Sequence, residues 1–284
     1  MAYIKQDGFD FMTGLDGKPE SFVLRGLSLE NEVRYIKEKR IISIYLNYFD
    51  SKEIQNLDFL KELPLIEKVN INDLEIGYSG LYHLPNLRTA ILSVRNEHQH
   101  LEYSKFKNLE TLSIDWYKHF PDLSQNKELK ELYIWKFKPQ SKSFKGVLLP
   151  IDLDLLHITE TNIESLDGIE SLNIKQFEAY YCSKLKSLKG LERVSTTIDT
   201  LILENCKNIL DFESLSQCLK MKKIILTKCG DIPNLKWLVP MKELKMLTFS
   251  GTNILDGDLS YCFGIDYVYF KNSKHYNHRV EDFS

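Results

Sequence analysis

The chain has 284 residues, 43% of them hydrophobic and 27% charged, and a formal net charge of −3 at pH 7. This composition indicates a folded globular protein and argues against a disordered chain. The slight negative charge argues against a general binder of nucleic-acid phosphates.

The sequence also bears on compartment. The N-terminus lacks the apolar core of a signal peptide, and no run of about 18 apolar residues could span a bilayer. The five cysteines contain no CxxC pair, which argues against a zinc ribbon, and their odd number argues against a disulfide framework. We therefore expect a cytoplasmic protein that does not enter a membrane. Abundant Lys, Ile, Asn and Tyr hint at an AT-rich bacterial or phage genome.

Residues 1–40 contain no internal repeat and are predicted to form an N-terminal cap with a helix. Ser28 is the candidate N-cap of the segment LENEVRYIKEK, in which Leu29, Val33 and Ile36 share one face. A cap is expected here because repeated segments begin at residue 41, as described next. The first of a stack of such repeats would otherwise leave an apolar face in water.

From residue 41 onward the chain repeats one pattern every 20 to 25 residues. In the clearest copies, apolar residues occupy positions 1, 4 and 6, cysteine occupies position 9, and apolar residues occupy positions 12, 15 and 18. The alternation over positions 3 to 7 predicts one short strand per copy with one buried face. Eleven copies are predicted, beginning at Ile41, Ile66, Leu87, Leu109, Leu129, Leu153, Ile174, Ile198, Met221, Leu244 and Ile265.

The pattern LxxLxLxx(N/C)xxL at this period resembles the leucine-rich repeat family over most of the chain. The resemblance implies an α/β fold: a right-handed solenoid, or horseshoe, of about eleven repeats with a parallel β-sheet on its concave face. We expect the solenoid to cover residues 41–272, after the cap, and residues 273–284 to close the stack or fray.

Three cysteines, Cys182, Cys206 and Cys229, occupy position 9, where flanking copies carry Thr161 and Thr252. In leucine-rich repeats this position points inward at the turn that leaves the strand, where a small side chain meets the backbone of the next coil. A buried structural thiol is therefore predicted at all three positions. A reactive thiolate would need a nearby base or cation, and the repeat pattern supplies none.

The remaining candidate chemistry is sparse. Cys218 and Cys262 lie in outer segments and are predicted to be buried. The histidine pairs His98/His100 and His275/His278 lack the acidic or cysteine partner that a metal site needs. No phosphate-binding loop, dinucleotide-binding, serine-hydrolase or zinc-protease motif occurs. We predict no metal, no cofactor and no enzymatic activity.

Positions 3, 5, 7 and 8 of each copy are predicted to point out from the concave sheet, and in four consecutive copies they carry aromatic side chains. The aromatic residues are Trp116, Tyr133, Trp135, His157, Tyr180 and Tyr181. The interleaved carboxylates are Asp115, Glu131, Glu160, Glu178 and Glu204, beside one lysine, Lys136. Exposed Trp and Tyr dominate binding hot spots, which predicts a surface for a protein partner. The alternative is that these rings pack on one another or on connectors.

The carboxylates favour a basic protein partner, whereas a nucleic-acid surface would interleave the aromatic residues with Lys and Arg. We therefore predict a non-enzymatic protein–protein interaction scaffold and no nucleic-acid ligand. By resemblance to ribonuclease inhibitor, a special case is an immunity protein that neutralises a basic toxin or nuclease. Two alternatives remain open: a sensor or effector in host defence or phage–host conflict, and an internalin-like adhesin that would need an export signal and an anchor.

Overall fold

A computed structural model describes residues 2–93 and 101–283, so the pair His98/His100 lies outside the described residues. The chain divides into two compact units, Met1–Leu129 and Lys130–Ser284. We call them the N-terminal and the C-terminal unit and describe each by itself.

The N-terminal unit begins with three strands that the sequence analysis did not predict. β1 (Tyr3–Gln6) and β2 (Phe9–Thr13) form an antiparallel hairpin, and β3 (Pro19–Val23) pairs antiparallel with β2 and parallel with β4. Asp7 and Gly8 both have positive φ in the hairpin turn, the backbone conformation that Asp-Gly favours.

The predicted helix is present as α1 (Leu29–Lys39), with Val33 and Ile36 buried and Leu29 half-buried. Ser28 precedes it but makes no side-chain capping bond. The hydroxyl of Ser28 instead accepts a hydrogen bond from the Asn31 side chain at 2.6 Å. The helix position was therefore predicted correctly and the capping interaction was not.

A polar cluster joins the N-terminal hairpin to the first repeat strand. The Arg25 guanidinium contacts Asp10 at 2.8 Å and Asp50 at 3.0 Å. Tyr3 donates its hydroxyl proton to Asp50 at 2.8 Å, and the Asn47 amide donates to the same carboxylate at 2.7 Å. Burial raises the pKa of Asp50, but the hydrogen bonds from Asn47 and Tyr3 and the charge of Arg25 outweigh burial and lower it.

Parallel strands follow in both units at the predicted repeat positions. In the N-terminal unit they are β4 (Ser43–Asn47), β5 (Lys68–Asn72), β6 (Thr89–Ser93) and β7 (Thr111–Asp115). In the C-terminal unit they are β8 (Glu131–Trp135), β9 (Asp152–Thr159), β10 (Asn173–Tyr180), β11 (Thr200–Glu204), β12 (Lys223–Ile232), β13 (Met246–Ile254) and β14 (Tyr267–Phe270).

The register within the C-terminal unit aligns equivalent positions of successive copies. Leu156 pairs with Phe177, Phe177 with Leu201, and Leu201 with Ile224, and all four side chains are buried. Short 3-10 turns connect the strands on the return path, as at Leu191–Val194. The predicted α/β leucine-rich repeat fold is therefore confirmed, with 3-10 turns where the α-helices of such folds can lie.

Position 8 of four successive copies of the repeat has a left-handed backbone. Glu160, Tyr181, Asn205 and Lys228 have φ between 47 and 55°. Tyr181 N–H donates to the carbonyl of Glu204 at 2.8 Å, and Asn205 N–H donates in the same way to the next repeat. This conformation turns the chain inward toward position 9 while it keeps the backbone hydrogen bonds between neighbouring repeats.

The position-9 cysteines are fully buried and free, as predicted. The Cys206 thiol donates to the carbonyl of Ala179, and the Cys229 thiol donates to that of Leu203, both at 3.3 Å. Burial raises the pKa of Cys229 to about 12. Cys206 and Cys229 therefore each link their own repeat to the one before it, whereas the Cys182 thiol donates to the carbonyl of Tyr180 in its own repeat.

The last residues pack against the end of the C-terminal unit. The Tyr276 hydroxyl accepts a hydrogen bond from the Ile254 N–H at 3.1 Å, and the Phe283 ring lies 6.0 Å from that of Phe270. In the described parts of the chain, no helix is both long and apolar enough to cross a membrane. The proposed division into cap, solenoid and tail at residues 40 and 272 stays a prediction.

Candidate binding face

Three neighbouring strands of the C-terminal unit, β8, β9 and β10, carry most of the predicted site. Tyr133 pairs with His157, and His157 pairs with Glu178. The residues that alternate with them, such as Ile134 and Ile158, are fully buried in the core. The side chains of Tyr133, His157 and Glu178 therefore lie side by side on the opposite face of the sheet, at strand spacings of about 4.8 Å.

The aromatic rings on this face pack around His157. The Tyr180 ring stacks on the imidazole, with centroids 4.8 Å apart and an interplanar angle of 25°. The centroids of Tyr133 and Trp135 lie 5.4 and 5.6 Å from that of His157. We call Tyr133, Trp135, His157, Tyr180 and the adjacent Tyr181 the aromatic face. The repeat positions predicted that Tyr133, Trp135, His157 and Tyr180 lie together, and the structure brings their rings into contact.

A buried hydrogen bond fixes the centre of this face. His157 Nδ1 lies 2.9 Å from Glu178 Oε2, and the Gln176 amide donates to the other carboxylate oxygen. Burial raises the pKa of Glu178, but the hydrogen bonds from His157 and Gln176 outweigh burial and lower it. Glu178 is therefore ionised, accepts at both oxygens, and requires a proton on Nδ1.

The structure corrects the prediction that His157 and Glu178 are exposed. Only 8% of His157 and 9% of Glu178 is accessible to solvent. The rings of Tyr133 and Trp135 on β8 and of Tyr180 on β10 pack against His157, and Glu178 is bonded to His157 and Gln176. The repeat pattern alone could not show these contacts. Gln176, which holds the second oxygen of Glu178, was not recognised as part of the site, although it occupies position 3 of its copy, one of the positions predicted to point out from the sheet.

One polar atom of the site is left without a partner. His157 Nε2 is buried and makes no hydrogen bond to any described residue. His157 lies on β9, between the other two strands. Its Nδ1 faces Glu178 on β10, and the rings of Tyr133 and Trp135 lie on β8, on the opposite side. Buried polar atoms normally have a partner. Among the described residues, the side-chain oxygens of Asn70, Asn126 and Asn162 also lack one, and His157 Nε2 is the atom of this group that lies on the aromatic face.

Tyrosine hydroxyls on this face stay protonated over the physiological range. Burial raises the pKa of Tyr133 and of Tyr180 to about 12. The Tyr133 hydroxyl donates to Glu131 Oε2 at 3.4 Å. The floor of the site therefore consists of neutral rings bordered by carboxylates.

The outer part of the site is accessible to solvent. Trp135, the last residue of β8, is 44% exposed, and Tyr181, which follows β10, is 55% exposed. Glu160 is exposed, and Glu204 is half-buried and accepts a hydrogen bond from the Asn205 amide at 3.2 Å. The predicted site thus contains a buried, ordered floor and an exposed aromatic rim.

Two predicted site residues belong to the N-terminal unit. The Trp116 ring stacks on Phe120, with centroids 4.5 Å apart, and Asp115 accepts a hydrogen bond from the Ser93 hydroxyl at 3.0 Å. Both residues are half-buried. Their part in a common site with the aromatic face stays a prediction. Phe120, which supports Trp116, lies outside the strand positions that the sequence analysis considered.

No model of a known family matches the sequence, and no curated protein matches it. Among solved structures, an internalin from Listeria monocytogenes is similar over 78% of this chain and 78% of its own, with 17% identity and a TM-score of 0.45. The functional domain of InlJ from the same organism, which includes a cysteine ladder, matches 81% of this chain and 57% of its own, with 16% identity and a TM-score of 0.47. TLR13 in a complex with ssRNA13 matches 79% of this chain and 34% of its own, with 17% identity and a TM-score of 0.49. The repeat fold is established by the strands and register of the chain itself.

Proposed function

We propose that this chain, a protein of the leucine-rich repeat fold, binds a protein partner through the aromatic face of its C-terminal unit. The observation that carries the proposal is the pair of exposed rings, Trp135 and Tyr181, beside the ordered stack of His157 and Tyr180. Exposed Trp and Tyr bury a large area on binding and lose few rotamers. Because the stacked floor is already ordered, little further entropy is lost when a partner binds.

The charge around the face supports a basic partner. Four carboxylates lie on or beside it, those of Glu131, Glu160, Glu178 and Glu204. The lysine among the predicted site positions is Lys136. Carboxylates in this arrangement speed the approach of a basic surface and disfavour an acidic one. In its most specific form, the proposal is that the chain acts as an inhibitor or immunity protein for a basic toxin or nuclease. No catalytic role is assigned to the chain.

A capture experiment with two matched variants tests the proposal. Wild-type protein, Trp135→Ala/Tyr181→Ala and Tyr267→Ala/Tyr269→Ala are each used as bait in lysate from the source cells. The second pair is the control, because Tyr267 and Tyr269 on β14 are 50% and 51% exposed. Circular dichroism checks that all three baits are folded.

We expect one basic protein to be retained by the wild type and the β14 control and lost from the Trp135→Ala/Tyr181→Ala bait. With the purified partner, loss of a hot spot of about 2 kcal/mol corresponds to a roughly 30-fold weaker Kd. Association should also slow as salt rises. Equal retention by all three baits would place binding elsewhere and refute the proposal.

A further inference from the structure

The buried nitrogen His157 Nε2 is a feature of the aromatic face that the packing of this chain does not explain. In a neutral imidazole whose Nδ1–H donates to Glu178, Nε2 carries a lone pair and can only accept. No described residue donates to it. An acceptor that is removed from water without a donor is unfavourable, so a donor from outside the chain would satisfy it.

The surroundings of this nitrogen restrict which donor fits. The rings of Tyr133, Trp135 and Tyr180 pack around the imidazole, with centroids 4.8 to 5.6 Å from it. A donor that reaches Nε2 must therefore lie against aromatic faces. The carboxylate of Glu131 accepts from the Tyr133 hydroxyl and therefore lies beside one of these rings. Aromatic faces and carboxylates together favour a cation over a neutral donor.

We propose that the aromatic face receives an arginine side chain of the partner, whose guanidinium stacks on the rings and donates one N–H to His157 Nε2. The inference rests on the proposed function, because it assigns the chemistry of the partner at the same face. Arginine fits better than lysine because its guanidinium is planar, weakly hydrated and able to stack. Its other N–H groups remain available to a carboxylate such as that of Glu131.

Entry of the guanidinium requires a local rearrangement, since Nε2 is buried in the free protein. Trp135 is the ring placed to move, because it is the last residue of β8 and nearly half of its surface is exposed. Its indole should therefore report the binding event, whereas the stacked Tyr180 ring should move little.

A titration of the full chain with N-acetyl-arginine amide tests the inference without any knowledge of the partner. Histidine and tryptophan side chains are labelled with 15N, and the His157 Nε2 and Trp135 indole signals are followed by NMR. N-acetyl-lysine amide and N-acetyl-citrulline amide serve as comparators, because the first keeps the charge without the planar group and the second keeps the planar donors without the charge. We expect saturable shifts of both signals with the arginine probe, and at least tenfold weaker binding of the other two.

Substitution of the acceptor provides the second arm. His157→Phe keeps a stacked ring but removes Nε2, and it is combined with Glu178→Gln so that no buried carboxylate loses its donor. The double variant should bind the arginine probe at least tenfold more weakly than the wild type, by the Trp135 signal. Glu178→Gln alone is measured beside it, so that the difference in affinity between the two variants reports the loss of Nε2 apart from the loss of the carboxylate.

The outcomes separate this inference from the proposed function. A proton on Nε2 in the free protein, no saturable shift with the arginine probe, or equal binding of the lysine probe would each overturn the arginine assignment. If Trp135→Ala/Tyr181→Ala loses the protein partner while the His157→Phe/Glu178→Gln variant keeps wild-type affinity for it, the proposed function stands and the arginine inference fails. If the first variant keeps the partner, the proposed function itself fails.

Discussion

A close backbone contact at Gly230 gives a sharp prediction about what holds successive repeats together. Gly230 follows Cys229 in β12 and has a φ of +82°, and a Cβ built there would lie 2.5 Å from the carbonyl oxygen of Lys207 in the preceding repeat. Gly264 has a similar φ of +89°, but nothing lies within 4 Å of its Cβ position. The two glycines share the backbone conformation and differ in the contact.

The expected cost of Gly230→Ala combines two effects. A left-handed backbone costs an L-residue roughly 1–2 kcal/mol, and Gly264→Ala should show this effect alone. At Gly230 the added methyl also meets a backbone oxygen far inside the usual contact distance of about 3.5–4.0 Å. Forcing extra volume into a packed region costs about 1–3 kcal/mol more. We therefore expect Gly230→Ala to lower the free energy of unfolding by about 2–5 kcal/mol and Gly264→Ala by about 1–2 kcal/mol.

Urea unfolding followed by tryptophan fluorescence measures both costs, because Trp237 is buried in the C-terminal unit. The comparison requires an unchanged slope of the free energy against urea concentration. If Gly230→Ala and Gly264→Ala cost the same, the approach of Lys207 does not constrain position 230, and the argument from contact distance is wrong.

Three further predictions follow from buried or paired groups. At pH 8 the thiols of the native protein, including Cys229 with its pKa of about 12, should react with a disulfide reagent far more slowly than the thiols of the denatured protein. The absorbance of the released reagent measures both rates. Arg25→Met should remove the bridge from Asp10 to Asp50 while the Tyr3 hydrogen bond to Asp50 remains, cost about 1–2 kcal/mol, and speed amide exchange mainly in residues 3–13. Unchanged exchange there would contradict the role given to Arg25. Burial raises the Tyr133 pKa from 10.0 to about 12, so the folded state holds this proton more tightly than the unfolded chain. This contribution to stability is fully present below pH 10 and should be lost as the pH rises toward 12, measured by urea unfolding at each pH with Tyr133→Phe as the control.

The strands of both units were predictable because every copy of the repeat confirms the others. Residues at position 4, such as Phe177 and Leu201, recur at a fixed spacing, and the register pairs them directly. The N-terminal hairpin has no second copy and was missed, although Asp7-Gly8 between alternating residues is a recognised hairpin signal. Local turn chemistry, rather than periodicity, was the available evidence there.

The contact between the rings of the aromatic face was predictable from the repeat, and the burial of these residues was not. Position in the repeat placed Tyr133, His157 and Tyr180 on one face of the sheet, and the structure shows their rings in contact. Whether a side chain at these positions is exposed depends on the size of its neighbours on the adjacent strands. His157 is covered because both flanking strands carry large rings or long side chains, and that information lies about twenty residues away in the sequence on either side.

The position-9 hydrogen bonds also make the length of the C-terminal unit adjustable in whole repeats. Three donors at position 9 meet the carbonyl at position 6 of the preceding copy: Cys206 with Ala179, Cys229 with Leu203 and Thr252 with Leu226. Deletion of residues 206–228 would bring Cys229 to the place of Cys206, with Ala179 as its acceptor, and would leave Thr252 opposite Leu203. A deletion within positions 1 to 9 of a copy would separate a donor from its acceptor, whereas the outer segments already differ in length between copies that begin 20 to 25 residues apart.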